Sequence, residues 1–505
     1  MKNTKKQSSI QGKTSNQVKQ RNDITPYPLR TRCIIKCRYV QYFAMIRKFL
    51  HKVFNRKISA LNADSQLCII PSKQHGIHRS QISPGALKVT QSLQKSGFSA
   101  FIVGGAIRDI LLGLEPKDFD VATNATPEQV RSIFRRSRII GRRFRLVHVM
   151  CGHETVEVST FRGPSLAQVD TLDMKNHTDQ HGRLLRDNVF GSQEEDAARR
   201  DFTMNALFYD PSSEEIHDYR NGYSDLKAKT LCIIGEPATR YREDPVRMLR
   251  AIRLAAKLDM LIDTETAKPI GDLAPLLQNV PPSRLFDEML KLLLSGHALS
   301  CVVDLRARGL HHGLLPMLEQ PLGERFITLA LKNTDERIRQ EKHVSPAFLF
   351  ASLLWHEVLA AWNKHKLSGE KSLIALYKAM DEILLKQQKN LAIPRRFSAT
   401  IIEIWVMQPR FESLAGRKPF RLLSHPRFRA AYDFMLLRCE SGEGSMDLGT
   451  WWKRFVAADQ DKREKMIHTP ASSRKRRNRG RRKTSAQSIP AGGTSESSEK
   501  EKTAY

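Results

Sequence analysis

The stretch "FIVGGAIRDILLGLEPKDFDVATN", residues 101–124, places a glycine pair and a carboxylate pair on two consecutive strand-like runs. Ala100–Val103 reads as a strand that stops at Gly104 and Gly105, "AIRDILLGL" as a short helix, and "DFDVAT" as a second strand. In an extended chain residues i and i+2 share a face, so Asp118 and Asp120 project together while Phe119 turns to the buried side. Two carboxylates so placed repel each other and need a cation or an open turn. Mg²⁺ suits them, because it takes one or two protein carboxylates and completes its shell with waters and phosphate oxygens. A polar strand edge is the competing reading, since D-x-D alone is a common pattern.

The residues just upstream favour the metal. Glycines between a strand and a helix let backbone N–H groups approach an anion closely, and Arg108 follows within one helical turn. Carboxylates for a divalent cation and an arginine for phosphate thus occur within one short segment.

Working outward, "SPGALKVTQSLQKSG" has helical spacing, and "TPEQVRSIFRR" is a helix capped by Thr126 with Pro127 at its first position. "RLVHVMC" and "ETVEVSTF" read as strands around a turn at Gly152-His153. These elements make a small α/β head with a mixed or antiparallel sheet. Residues 163–187 read as a mobile polar loop, and helices dominate from "SQEEDAARRDFTMNALFY" onward.

The chain has 505 residues and a net charge of +30, with 40% hydrophobic content. Residues 1–57 hold 15 Lys/Arg against Asp23 alone, and residues 470–505 hold 10 against 3 acids, so the ends carry most of the excess. Such arms fit a polyanionic partner. Residues 1–80 and the segment after about residue 460 read as disordered. Met45 begins the basic amphipathic stretch "MIRKFLHKVFNRK" and is a second candidate start of translation. No apolar run approaches the roughly 20 residues that a membrane span requires. Seven dispersed cysteines read as reduced thiols of a cytoplasmic protein, and Cys33 and Cys37 lack the second ligand pair of a zinc site. His153, His177 and His181 likewise have no cysteine companions at ligand spacing.

Taken in order, "VGGAIRDILLG…KDFDVAT", "RRDFTMNAL" and "EDPVRMLRAIR" resemble the nucleotidyltransferase superfamily of tRNA CCA-adding enzymes and bacterial poly(A) polymerases. The resemblance spans most of residues 80–300. It implies an α+β fold: a nucleotidyltransferase head with a small, five-stranded mixed sheet, then an elongated, all-helical neck and body, with disordered basic termini. The expected divisions are an extension over 1–80, a catalytic head over 81–235, a neck over 236–300, an RNA-binding body over 301–460 and a tail over 461–505. The resemblance assigns Asp118 and Asp120 to the metal and Asp201 of "RRDF" to the catalytic carboxylates. Glu157 in "VEVSTFR" competes for the third position; Asp201 is preferred because it lies in a matched motif. Gly104, Gly105, Arg108 and Arg200 would hold the triphosphate.

In "EDPVRMLRAIR", Arg247, Arg250 and Arg253 recur every three residues, which on a helix is a drifting basic stripe. Spacing alone allows a solvated charged face. The resemblance implies instead that Asp244 and Arg247 read the incoming base, with Arg250 and Arg253 nearer the nucleotide. The segment "IIGRRFRLVHV", residues 139–149, resembles the poly(A) polymerase branch, as do "LAIPRRF" and "HPRFRAAYDFMLLR". The implied activity is template-independent transfer of AMP from ATP to RNA 3′ ends with Mg²⁺, by a monomer with RNA-decay proteins as candidate partners. The alternatives are a tRNA CCA-adding enzyme and, in another class, a non-catalytic RNA-binding protein with a degenerate head.

Overall fold

The computed structural model describes residues 67–141, 145–163, 189–312, 318 and 325–467. The chain divides into two units, Met1–Leu67 and Cys68–Tyr505, and all of the first except Leu67 lies outside the described residues. So do Arg142, Arg143 and Phe144 of "GRRF", the loop with His177 and His181, and the basic tail from residue 468.

Eight strands form the head sheet. In chain order they are β1 (Cys68–Ile70), β2 (Ala100–Val103), β3 (Asp120–Thr123), β4 (Ser137–Ile140), β5 (Leu146–Cys151), β6 (Glu154–Thr160), β7 (Leu207–Asp210) and β8 (Glu215–Asp218). Across the sheet they run β1-β8-β7-β2-β3-β6-β5-β4. Only β3 and β6 pair in parallel; the other neighbours are antiparallel. The sheet is mixed, as expected, but has eight strands where five were implied. The additional ones are short. β7 and β8 form a tight hairpin inside a stretch read as helical, and neither is long enough to show a period.

Residues 68–80 correct a second expectation, because they are folded rather than part of a disordered extension. β1 pairs with β8 and forms the edge of the sheet, Ile70 and Ile77 are buried, and the His75 ring meets Tyr209 edge-on. Three apolar contacts and one edge pairing suffice to tie down a segment whose own sequence has no periodicity. At the other end, the helix Gln460–Met466 extends order slightly beyond the expected limit, with Asp459 capping it through the Lys462 N–H.

Local chemistry explains the helices around the sheet. Helix α1 (Pro84–Lys95) starts with Pro84 at its first position, and Ser83 accepts from the Ala86 N–H; such a cap contributes about 1 kcal/mol. Helix α2 (Gly105–Leu111) follows β2 directly. Helix α3 (Pro127–Ile133) carries the expected Thr126 cap, closed reciprocally by Gln129. These helices cover one sheet face and bury Val89, Leu93, Ile107 and Val130 against Ile102, Val121, Val156 and Val158.

The opposite face is only partly covered. Phe101, Val103, Ala122, Phe161 and Phe208 form a smaller core there with Ala197 of helix α4 (Gln193–Arg199). Helix α4 has a complete capping box from Ser192 and Glu195, and its first turn carries Glu194, Glu195 and Asp196 at the end where negative charge is favoured.

Beyond the sheet the regular elements of the described residues are helices except for a two-stranded parallel pair, Thr230–Leu231 with Leu261–Ile262. Helices α5 (Pro237–Glu243), α6 (Val246–Leu258), α7 (Pro282–Leu293) and α8 (Ala298–Ala307) follow, then helices through Met466. One core runs continuously from Phe202 and Met204 through α6 and α7 to Phe434 and Leu437. A separate cluster of Phe411, Leu422, Phe428, Trp452 and Phe455 holds the last helices.

Candidate active site

Strand register assembles the site. Val103, Asp120, Glu157 and His148 are successive partners across β2, β3, β6 and β5, and Phe208 of β7 partners Val103 on the other side. Residues directly opposite in neighbouring strands share a face, so this row lies on the partly covered side of the sheet. Asp118 sits in the irregular segment before β3, two residues short of the strand that was expected to contain it, while Phe119 is buried in the opposite core. Asp118 and Asp120 therefore come from a loop and from a strand end, and the charge of Asp118 is felt at Asp120.

Asp120 shows the strain of this arrangement. Burial of its carboxylate, and next the negative charge of Glu157, push its pKa up to about 6; Arg200 opposes the shift and Asp118 adds to it. The residue is nonetheless open to solvent, so its carboxylate is crowded by neighbours rather than sealed in the core. Glu157 is held on its far side by His148 Nε2, 3.4 Å away.

Gly104 joins β2 to α2 with φ +76° and ψ −136°, a conformation in which a side chain is strained. A Cβ at this position would lie 3.6 Å from Arg200 Nη1 and 3.9 Å from Asp120 Oδ2. Both charged groups thus face the glycine backbone. Arg200 donates through Nε and Nη2 to Asp196 and stacks its guanidinium 5.0 Å from the Phe208 ring centre. It is cross-braced but remains partly exposed.

The other predicted residues form a polar chain beneath this floor. Arg108 is buried; it donates twice to Asp109 and, through Nη1, to Asn205 Oδ1 at 2.8 Å. Asn205 Nδ2 donates to Asp201 Oδ1 at 3.0 Å, which also accepts from the Phe202 N–H. Asp201 Oδ2 lies 2.7 Å from Arg250 Nη2. Burial raises the Asp201 pKa, but Arg250, Asn205 and the Phe202 N–H outweigh it and hold the carboxyl below its ordinary value. The structure therefore engages Asp201 in an ion pair between "RRDF" and α6, while Glu157 is the carboxylate directly beside Asp120. Asn205 was not anticipated. The sole signal was its place four residues after Asp201 in "RRDFTMN".

On α6 the arginine stripe is not a solvated face. Arg247 Nη1 donates to the Arg240 carbonyl and to Glu243. Arg250 pairs with Asp201, and Arg253 sits among Glu288, Arg250 and Arg108, its pKa lowered chiefly by burial. Asp244 is bound by Arg284 at 2.6 Å through Oδ2, whereas its buried Oδ1 has no hydrogen-bond partner among the described residues. Arg240 completes the junction by donating to the Arg199 and Arg200 carbonyls at the end of α4.

Among the described residues no group of three His, Cys, Asp or Glu is drawn together tightly enough to form a closed metal cage. Asp118 and Asp120 instead offer the open, carboxylate-poor shell that fits a hard cation shared with phosphate. Acidic residues on two neighbouring central strands, beside a strand–glycine–helix turn, are the arrangement expected of a nucleotidyltransferase head.

Comparisons with known proteins agree. Residues 100–232 match a family model described as the poly A polymerase head domain. Residues 259–321 match one described as a probable RNA and SrmB-binding site of polymerase A, and 368–484 one described as its arginine-rich C-terminus. Poly(A) polymerase I of Salmonella typhi is 44% identical over 460 residues, covering 87% of this chain and 98% of that protein. The chain belongs to the poly(A) polymerase family. A CCA-adding enzyme of Streptococcus pyogenes is more distant, at 31% identity over 302 residues, covering 59% of this chain and 72% of that one. A solved structure described as a tRNA-processing enzyme in an apo form shares the fold, with a TM-score of 0.52, 21% identity and coverage of 76% and 97%.

Proposed function

We propose that this chain adds AMP from ATP to the 3′-hydroxyl of RNA without a template and releases pyrophosphate. The carrying observation is the row that sets Asp120 beside Glu157, with Asp118 close by and Gly104 and Arg200 facing it. In this reading Asp118 and Asp120 hold Mg²⁺, which when bound lowers the pKa of the attacking hydroxyl and neutralises the transferring phosphate. Glu157 supplies the third carboxylate, because Asp201 is committed to Arg250.

Arg200 meets the triphosphate across the Gly104 and Gly105 backbone, where the lack of side chains leaves room for close approach. Arg108, bound to Asn205 and Asp109, anchors the wall behind it. The buried, unpartnered Oδ1 of Asp244 is suited to accept from an amino group on a base edge, with Arg247 near it as donor. Arg250 and Arg253 fix α6 against the head. The head over 68–235 would do the chemistry and the neck over 236–300 the selection, while the body over 301–460 would bind RNA. Action as a cytoplasmic monomer alongside RNA-decay proteins completes the proposal. No helix among the described residues is long and apolar enough to cross a membrane.

The test offers RNA with each nucleoside triphosphate separately to the wild type and to Asp120→Asn. AMP incorporation by the wild type alone is expected, with RNA affinity unchanged in the variant. Incorporation of CTP into tRNA lacking its 3′ end would favour the CCA-adding reading. Activity retained by the variant would overturn the metal assignment.

A further inference from the structure

The helix Arg395–Phe411 ends next to the short helix Lys418–Leu423, and a cavity of about 270 Å³ opens between them. Arg410, Ser413, Lys418, Arg421, Leu422 and His425 line it. The reasons for this placement are local. Pro409 lies in the last turn of the first helix, where it removes an i→i−4 hydrogen bond and leaves only two more helical residues after it, and Pro419 opens the second helix. Lys418 and Arg421 are one turn apart and therefore share a face. Leu422 is buried in the cluster with Phe411, Phe428 and Trp452, which fixes the cavity floor. His425 Nδ1 accepts from the Arg427 N–H, which leaves Nε2 as the ring's donor.

The charges at this site are unbalanced. Residues 395–429 contain eight Lys/Arg and only Glu403 and Glu412 as acids. Arg427 pairs with Glu403 and Arg429 with Asp433, both outside the cavity. Arg410, Lys418 and Arg421 are exposed and have no ion pair or side-chain hydrogen bond among the described residues. Like charges one turn apart repel, and none of the three cations is ion-paired among the described residues, in contrast to Arg247 and Arg250 of α6; Glu412, next to Ser413, is the nearest acid along the chain. Three cations with a hydroxyl and an imidazole donor around a concave surface match the oxygens of a phosphodiester.

We infer that this cavity binds the sugar–phosphate backbone of the RNA substrate upstream of its 3′ end, a second anchor separate from the catalytic row. The inference deepens the RNA-directed reading above and rests on it. A single strand running from the head across the body would gain counterion release at this point without any sequence preference. Short substrates that occupy only the head would not reach it.

The experiment compares full-length wild type with Arg410→Gln/Lys418→Gln/Arg421→Gln, using Arg427→Gln as a surface control. RNA affinity is measured on a ladder of oligoadenylate lengths between 50 and 200 mM salt, alongside AMP incorporation and circular dichroism. Each single-strand phosphate contact adds about 0.7 to the log–log salt slope, so losing three lowers it by about 2. Over that salt range the variant's affinity for long RNA should fall about 20-fold less than the wild type's. The shortest extendable primer should be bound and extended equally by both proteins, and Arg427→Gln should behave as wild type.

An unchanged slope on long RNA overturns the inference, as does an equal loss on the shortest primer. If the variant loses only ATP affinity, or only capture of an acidic protein, the site serves those ligands and the inference is wrong. Failure of the wild type itself to bind RNA is a different result, and it would refute the RNA-directed reading instead.

Discussion

Arg250→Met removes the partner of a buried carboxylate, and the structure sets the size of the effect. Arg250 Nη2 lies 2.7 Å from Asp201 Oδ2, with side chains 37% and 11% exposed. Breaking a fully buried pair by removing one partner costs about 3–5 kcal/mol. Here the guanidinium is more than one-third exposed, and Asp201 keeps its hydrogen bonds from Asn205 and the Phe202 N–H. A loss of about 2–3 kcal/mol follows once solvent screening is allowed for. Asp201→Asn leaves a half-exposed arginine near Glu288 and Asp244, a smaller cost of about 1–2 kcal/mol. The double variant has no orphaned charge, so its loss should fall short of the sum by at least about 1 kcal/mol. Urea unfolding, followed by circular dichroism and tryptophan fluorescence together, measures all four proteins.

The pH dependence gives a second check on the same pair. Asp201 is held below its ordinary pKa, so its contribution is present above the unfolded value of about 3.9 and is lost as pH falls through the folded value. Without Arg250, only Asn205, the Phe202 N–H and the charge of Arg247 still oppose the effect of burial on Asp201, so the lowering shrinks. Wild type should therefore lose more stability on acidification than Arg250→Met does. The KM for ATP should also rise in Arg250→Met, because α6 loses its tie to "RRDF". Additivity within about 0.5 kcal/mol, with the acid limb unaltered, would refute the reasoning.

Gly104→Ala should cost about 1–3 kcal/mol through backbone strain at φ +76° and should lower ATP affinity, since the new Cβ meets Arg200 and Asp120; unchanged melting would contradict the conformation. Protons compete with the cation at Asp120, so Mn²⁺ binding to the protein should weaken as pH drops below about 6, measured by titration calorimetry without substrate. In Glu157→Gln that acid limb should move to lower pH, because Glu157 is the main charge raising Asp120; an unmoved limb would place Glu157 elsewhere. Without metal, the raised Asp120 makes this group's contribution to stability fall as pH rises from about 4 to about 6, and Mn²⁺ should restore it.

Much of the site was legible in the sequence because its parts lie close along the chain. The strand Ala100–Val103, the glycine turn, the short helix and Asp120 all fall within a few turns of one another, where period and capping operate. Glu157 was visible only as a competitor for the third position. What brings it to Asp120 is the parallel pairing of β3 with β6, a long-range choice that no local pattern encodes. Asp201 was preferred from a motif match, which does not show which way an oxygen points. Its partner Arg250 is far along the chain, on a helix whose stripe could equally have faced solvent. β1, β4, β7 and β8 escaped notice because strands of three or four residues are defined largely by their neighbours.

The continuous core from Phe202 to Leu437 has a consequence for how such a protein can diversify. The residues that hold "RRDF" share one core with α6, α7 and the helix Phe428–Ser441, so this segment, unlike the sheet with its own cores, is not part of a detachable module. A graft ending near residue 300 would strip the apolar faces of Leu285, Met289 and Leu292 of their later partners. New substrate choice must therefore arise from surface changes on a shared interior rather than from exchange of whole parts. The two ends of that core are inherited as one object.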